Sequence, residues 1–197
     1  MEYNAWGNPG NGPAHEATLA FTRMLAGPMD YTPGIVSLMG KGGQRIPSTL
    51  AKQLALYIIL YSPLQMAADL PENYAAQPEA FRFIKHVPVD WQDSITLAGE
   101  IGDYAVTARK DRNSENWLLG AVGGTAPHAV DVPLAFLTPG RRYTAEIWRD
   151  GPRADWQTAP FDMVVEQRTV TSADRLALRL AAGGGTAVRF VPDSNAK

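Results

Sequence analysis

At 197 residues the chain has room for one large domain or two small ones, each with a core of its own. Its 45% hydrophobic and 19% charged residues are an ordinary globular composition, and a net charge of −2 with scattered basic residues lacks the electrostatic footprint of a nucleic-acid binder. It has no cysteine, which excludes disulfides, thiolate metal sites and a cysteine nucleophile, and its longest apolar stretch, Leu54 to Tyr61, is too short to span a bilayer.

The opening residues, Met1-Glu2-Tyr3-Asn4-Ala5-Trp6, are neither a basic n-region nor an apolar h-region. They read as the interior of a longer protein. Residues 7–13 are a loop by composition. Pro13 suits the first turn of a helix and Glu16 its positive end. Ala17, Ala20, Phe21, Met24 and Leu25 then keep helical spacing up to Gly27-Pro28. Met29 to Thr32 is a short strand candidate stopped by Pro33-Gly34, and a glycine-rich loop follows to residue 47. Ser48 is the expected N-cap of a second helix whose stripe is Leu50, Leu54, Tyr57, Ile58 and Tyr61. Leu64 to Ala67 is the next short buried segment, and a helix is expected over Glu79 to Lys85. The alternation of helix and strand is that of an α/β unit.

From about Val87 the period becomes two. Tyr104, Val106 and Ala108 alternate with polar neighbours, Asn116 to Val122 is a strand, and Tyr143 to Trp148 alternates again. Leu176, Leu178 and Leu180 share one face, and Gly183-Gly184-Gly185 is expected to join that strand to Ala187–Val191 as a hairpin. The boundary falls near residues 86–98, which divides the chain into an α/β part, 1–90, and an all-β part, 91–197, spaced like an antiparallel β-sandwich.

Candidate chemistry is sparse. Glu16, Glu72 and Glu79 read as solvated carboxylates near helix N-termini. Asp30 has two readings: a side chain at the C-terminal end of a strand facing an active site, or a structural cap on the loop. Glu2 precedes Tyr3, Asn4 and Trp6, a cluster suited to stacking on a sugar and bonding its hydroxyls, although a glutamate there is also plain surface. His15 and Glu16 are adjacent, so on a helix they diverge and make a poor metal pair. No serine has the G-x-S-x-G context, and Gly40-Lys41-Gly42-Gly43 lacks the spacing of a phosphate loop. Trp91, Trp117, Trp148 and Trp156 either form a carbohydrate platform or fill the core, and packing is the better reading.

The run Met1 to Trp6 followed by Gly12 to Gly34 resembles glycoside hydrolase family 97, a family of bacterial α-glucosidases and α-galactosidases. Further matching blocks are Ser48–Tyr57, Ser62–Asp69, Val87–Trp91, Gly99–Tyr104, Tyr143–Gly151 and Ala181–Gly185. The resemblance implies that residues 1–90 end a catalytic (β/α)₈ barrel, with Met29–Thr32 and Leu64–Ala67 as its last two strands. It implies a C-terminal β domain linked to oligomerisation, and periplasmic or secreted localisation. It maps the family's general acid onto Glu2, with the same carboxylate joining glutamates further upstream around a calcium ion. Family members invert or retain configuration with different upstream carboxylates. The substrate implied is a terminal α-linked sugar of an oligosaccharide, with a non-catalytic oligomerisation or sugar-binding module as the alternative for this chain.

Overall fold

The computed structural model describes residues 12–193. Four helices come first: α1 (Pro13–Leu19), α2 (Leu50–Ile59), α3 (Pro71–Ala76) and α4 (Pro78–Ile84). Eight strands follow: β1 (Trp91–Glu100), β2 (Tyr104–Asp111), β3 (Trp117–Gly123), β4 (His128–Pro133), β5 (Tyr143–Asp150), β6 (Met163–Val170), β7 (Arg175–Leu180) and β8 (Gly185–Pro192). Six of them form one antiparallel sheet in the order β1-β2-β3-β8-β5-β6, and β4 pairs with β7 in a small second sheet.

The result is three layers. On one face of the large sheet, Val106, Leu119, Tyr143, Ile147 and Phe190 meet Val132, Leu176, Leu178 and Leu180 of the small sheet. On the other face, Leu118, Val122, Trp148 and Ala187 pack against α2 and α4. An antiparallel β-sandwich is therefore present as expected, and the helical segment shares a core with it.

The period of two explains the strand faces, and the departures have physical reasons. Gly183–Gly185 does not close a hairpin, because β8 lies between β3 and β5 while β7 pairs with β4. The glycines carry the chain from one sheet to the other. Gly183 sits at φ +59 with the Trp156 ring filling the space a Cβ needs, and a Cβ at Gly184 runs into the Asp150 carboxylate. The cap of α2 is Thr49, whose hydroxyl accepts from Lys52 N at 3.2 Å, while the Ser48 hydroxyl donates to the Thr49 carbonyl. The first helix ends at Leu19, with a separate 3₁₀ turn over Arg23–Ala26. Residues 29–32 and 64–67 are not strands among the described residues. A strand of a parallel sheet takes its ladder from neighbours on its flanks. Here the first segment has one backbone bond to the end of α2, Met29 N to Tyr61 O at 3.1 Å, and among the described residues no bond between backbone groups joins it to residues 64–67.

Helix α2 is the centre of the fold, and all ten of its residues are buried. It lies almost directly on the backbone of β3 and β8, because Gly120 and Gly185 have no side chain to hold it off. A Cβ at Gly120 would stand 2.8 Å from the Ala55 carbonyl oxygen, and one at Gly185 would stand 2.6 Å from Lys52 Cα. Trp148 fills the space beside the helix, edge-on to Phe83 at 5.0 Å with its indole N–H on the Glu79 carbonyl. Trp117 packs on Phe136. These tryptophans are packing residues.

Substituting Gly120→Ala is expected to lower unfolding free energy by about 1–3 kcal/mol, since the helix backbone cannot give way cheaply. Urea denaturation of the variant beside the wild type measures it, and an unchanged midpoint contradicts the close approach.

Candidate functional site

The loops that follow residues 29–32 and 64–67 meet at one rim. The Tyr57 hydroxyl, projecting from α2, donates to the Met66 carbonyl at 2.8 Å and reaches the Pro33 carbonyl at 3.4 Å. It holds the C-terminal ends of both segments on the same side. Burial and the neighbouring Tyr74 push its pKa far up, so it stays a neutral donor. Gly34 is required beside it: φ is +84, and any Cβ would overlap the Tyr57 hydroxyl. The Tyr74 hydroxyl donates to the Gly34 carbonyl at 2.9 Å and accepts from Asp69 N at 3.1 Å.

Asp69 stitches the two loops together. One carboxylate oxygen accepts from Ser37 N at 2.7 Å; the other accepts from Leu70 N at 2.8 Å and the Asn73 amide at 2.6 Å. Partial burial raises its pKa, but these bonds outweigh burial and the net shift is downward. It is ionised at neutral pH with its lone pairs taken by protein donors. Such a group positions a loop and cannot deliver a proton. The rim cavity has a volume of about 520 Å³ and is lined by Ser37, Met39, Asp69, Leu70 and Asn73. Next to it Tyr74 stacks on Phe81 at 4.6 Å. Hydroxyl and amide groups beside apolar walls suit a neutral, hydroxyl-rich ligand.

Behind the rim lies a buried ion pair. Lys52 Nζ stands 2.8 Å from a Glu16 carboxylate oxygen, and donates to the Pro13 carbonyl at 3.1 Å and the Gly123 carbonyl at 2.9 Å. The other Glu16 oxygen accepts from the Tyr31 hydroxyl at 2.6 Å. Glu16 was expected to be solvated; it is 1% exposed. Its helix turns it inward because Lys52 offers the charge that a buried carboxylate needs. His15, one residue earlier, is exposed, so the two do not converge. At the N-terminus of α2, the Thr49 hydroxyl donates to Asp150 at 2.7 Å. Burial pushes Asp150 up to about 6, against bonds from Ala181 N, Thr49 and Gly185 N and the attraction of Lys52.

Of the residues singled out in the sequence, Glu2 lies outside the described residues. Asp30 is exposed, between the buried Met29 and Tyr31, on the segment that leads into the rim. It does not line the rim cavity. Glu72 and Glu79 are exposed as expected, Glu79 in a pair with Arg82. Asp69 was not singled out. Its signal was local: an aspartate two residues before Pro71, which opens a helix, with Asn73 four residues on. Among the described residues no group of three or more His, Asp or Glu side chains converges on a metal position.

Comparisons with known proteins agree with this architecture. Residues 90–191 match the family model described as Glycosyl-hydrolase 97 C-terminal, oligomerisation. The chain is 32% identical to a retaining alpha-galactosidase of Bacteroides thetaiotaomicron, over 96% of its own length and 29% of that protein. It is 52% identical, with a TM-score of 0.92 over 98% of its length, to 30% of a family 97 glycoside hydrolase from a Pseudoalteromonas species, solved in complex with acarbose. A beta-arabinopyranosidase structure, 23% identical with a TM-score of 0.78, covers 96% of this chain and 30% of its own and shares the fold. The chain thus spans under a third of each relative's length.

Replacing Asp69 by Ala is expected to cost about 1–2 kcal/mol, because three donors lose their acceptor. The folded pKa is lowered, so the stabilisation by ionised Asp69 is present above its ordinary value, about 3.9, and disappears as pH falls through the lowered one. Urea unfolding of wild type and Asp69→Asn is expected to differ at pH 7 and to converge in acid. A gap that widens on acidification overturns this role.

Proposed function

The chain belongs to glycoside hydrolase family 97, and we propose that it is the C-terminal part of an exo-acting α-glycosidase that removes terminal α-linked sugars from oligosaccharides. Residues 1–90 complete a (β/α)₈ catalytic barrel and residues 91–197 form its C-terminal β-sandwich. The observation that carries this reading is the rim. The segments 29–32 and 64–67 run to a single tyrosine hydroxyl, Tyr57, at Pro33 and Met66, and the loops that follow them are tied by Asp69 around an open cavity of mixed polar and apolar lining. Active sites of (β/α)₈ barrels lie at that end of the strands.

Glu2 is the proton donor in this proposal. It protonates the glycosidic oxygen as the bond to the anomeric carbon breaks, while a second carboxylate activates water or attacks the sugar. Carboxyl separations of roughly 6.5–9.5 Å lead to inversion and about 5 Å to retention. Asp30, exposed on the segment that leads into the rim but outside its cavity, would meet a substrate hydroxyl from beside it. A calcium ion held through Glu2 and upstream glutamates is part of the reading on resemblance alone. Among the described residues no ligand set for it is present. Periplasmic or secreted localisation rests on the same resemblance. Glucose-configured substrates are favoured, because identity is higher to the acarbose-bound enzyme than to the alpha-galactosidase. A second reading, self-association through the β-sandwich, is favoured by the description of the matching family model.

The test uses the full-length enzyme. Glu2→Gln is expected to lower kcat/KM on maltose by about 10²–10⁴, the ordinary contribution of a general acid. It should do much less harm on nitrophenyl α-glucoside, whose leaving group needs no proton. Equal losses on both substrates sink the acid role. Asp30→Ala is expected to raise KM more than it lowers kcat, and an unchanged KM removes Asp30 from the substrate site.

A further inference from the structure

Among the described residues no strand pairs beyond β1 or β6, the two edges of the large sheet, and the two edges are built differently. Along β1 the pairing with β2 shifts register between Trp91 and Asp93 and again between Thr96 and Ala98. Such breaks bend an edge away from a new partner. Strand β6 pairs with β5 in unbroken register from Met163 to Val170. It contains no proline, lysine or bulge, devices that commonly blunt an edge. In the small sheet, β4 closes on Pro133.

The charges on β6 are self-complementary. Glu166 lies opposite Ile147 and Arg168 opposite Ala145, so both project from the face that carries the small sheet. Glu166 is held below the usual carboxylate range, first by the Arg149 guanidinium at 3.1 Å and then, against desolvation, by Arg168 of the same chain at 2.6 Å. Gln167, between them, is exposed.

We infer that β6 is the self-association edge of this domain: a second copy adds its own β6 antiparallel about a two-fold axis at Gln167, which makes the large sheet continuous across the dimer. Three registers place charged side chains opposite one another or their neighbours, because paired residues of a two-fold antiparallel ribbon must project from the same face. An axis at 166 sets Glu166 against the partner subunit's Glu166. An axis at 168 sets Arg168 against the partner subunit's Arg168. An axis at 167 sets Glu166 against the partner subunit's Arg168 and repeats that pair by symmetry. Like charges directly opposite destabilise a ribbon and opposite charges stabilise it, so the charge order selects the axis at 167. This deepens the self-association reading of the matched family domain and rests on it.

Sedimentation velocity of the full-length protein tests the edge. Wild type is expected at twice the chain mass. Arg168→Glu and Glu166→Arg, each placing like charges across the ribbon, are expected at single mass, with the dimer Kd raised at least about tenfold. Mixed in equal amounts, these two variants have complementary edges and should sediment as a dimer again. Gln167→Arg sets two positive charges against each other at the axis and leaves the Arg149–Glu166 pair in place. It should also be monomeric, with wild-type circular dichroism. If all three variants dimerise like wild type, β6 is not the interface and self-association itself survives. If the mixture stays monomeric, the register is wrong. If wild type is monomeric, both readings fall.

Discussion

The structure depends on how helix α2 is held at its two ends by the sheet it lies on. At the N-terminus Thr49 caps the helix, and its hydroxyl passes the contact on to the Asp150 carboxylate. At the C-terminus the Arg109 guanidinium, from β2, donates to the Ile58 carbonyl at 2.7 Å and lies 4.1 Å from the Tyr61 ring. A negative group at the start and a positive group at the end match the helix dipole, and both sites are buried, where the match counts most. Burial pushes Arg109 down to about 10 against the opposing pull of Tyr61, so it remains charged.

That constraint has consequences at both surfaces of the helix. Toward the sheet, two glycines let the helix backbone touch the strands. Toward the rim, Tyr57 sets the ends of residues 29–32 and 64–67. In between, Lys52 joins the start of α1 to the end of β3 through Pro13, Glu16 and Gly123. Three acceptors surround the ammonium, so the buried charge is paired and hydrogen-bonded, the condition under which such a charge is tolerated. The β-sandwich is thus a wall against which the rim is registered, and the segment that begins at Gly12 is tied to the same wall.

Much of this was legible in the chain. Alternation over Tyr143–Asp150 and Arg175–Leu180 marks strands because one face meets a core and the other does not, and Pro13 marks a helix start through its fixed φ. Strands β1 and β6 were not read out individually. β1 is exposed through most of its length and β6 is half-buried, so neither has the sharp contrast between faces that periodicity detects. The fate of Glu16 was illegible for a related reason. A carboxylate on the first turn of a helix is solvated by default, and its burial depends on Lys52, thirty-six positions away by residue number, reaching the same point.

The sequence by itself determined the switch from helical period to strand period near residue 90, the packing role of the tryptophans and the family resemblance, because these are local or patterned along the chain. Tertiary structure alone decided that Gly183–Gly185 crosses between sheets, that Asp69 knits the rim and that α2 is clamped by Asp150 and Arg109. Each of those joins groups far apart in sequence, and a hydrogen bond or a shared core leaves no period to read.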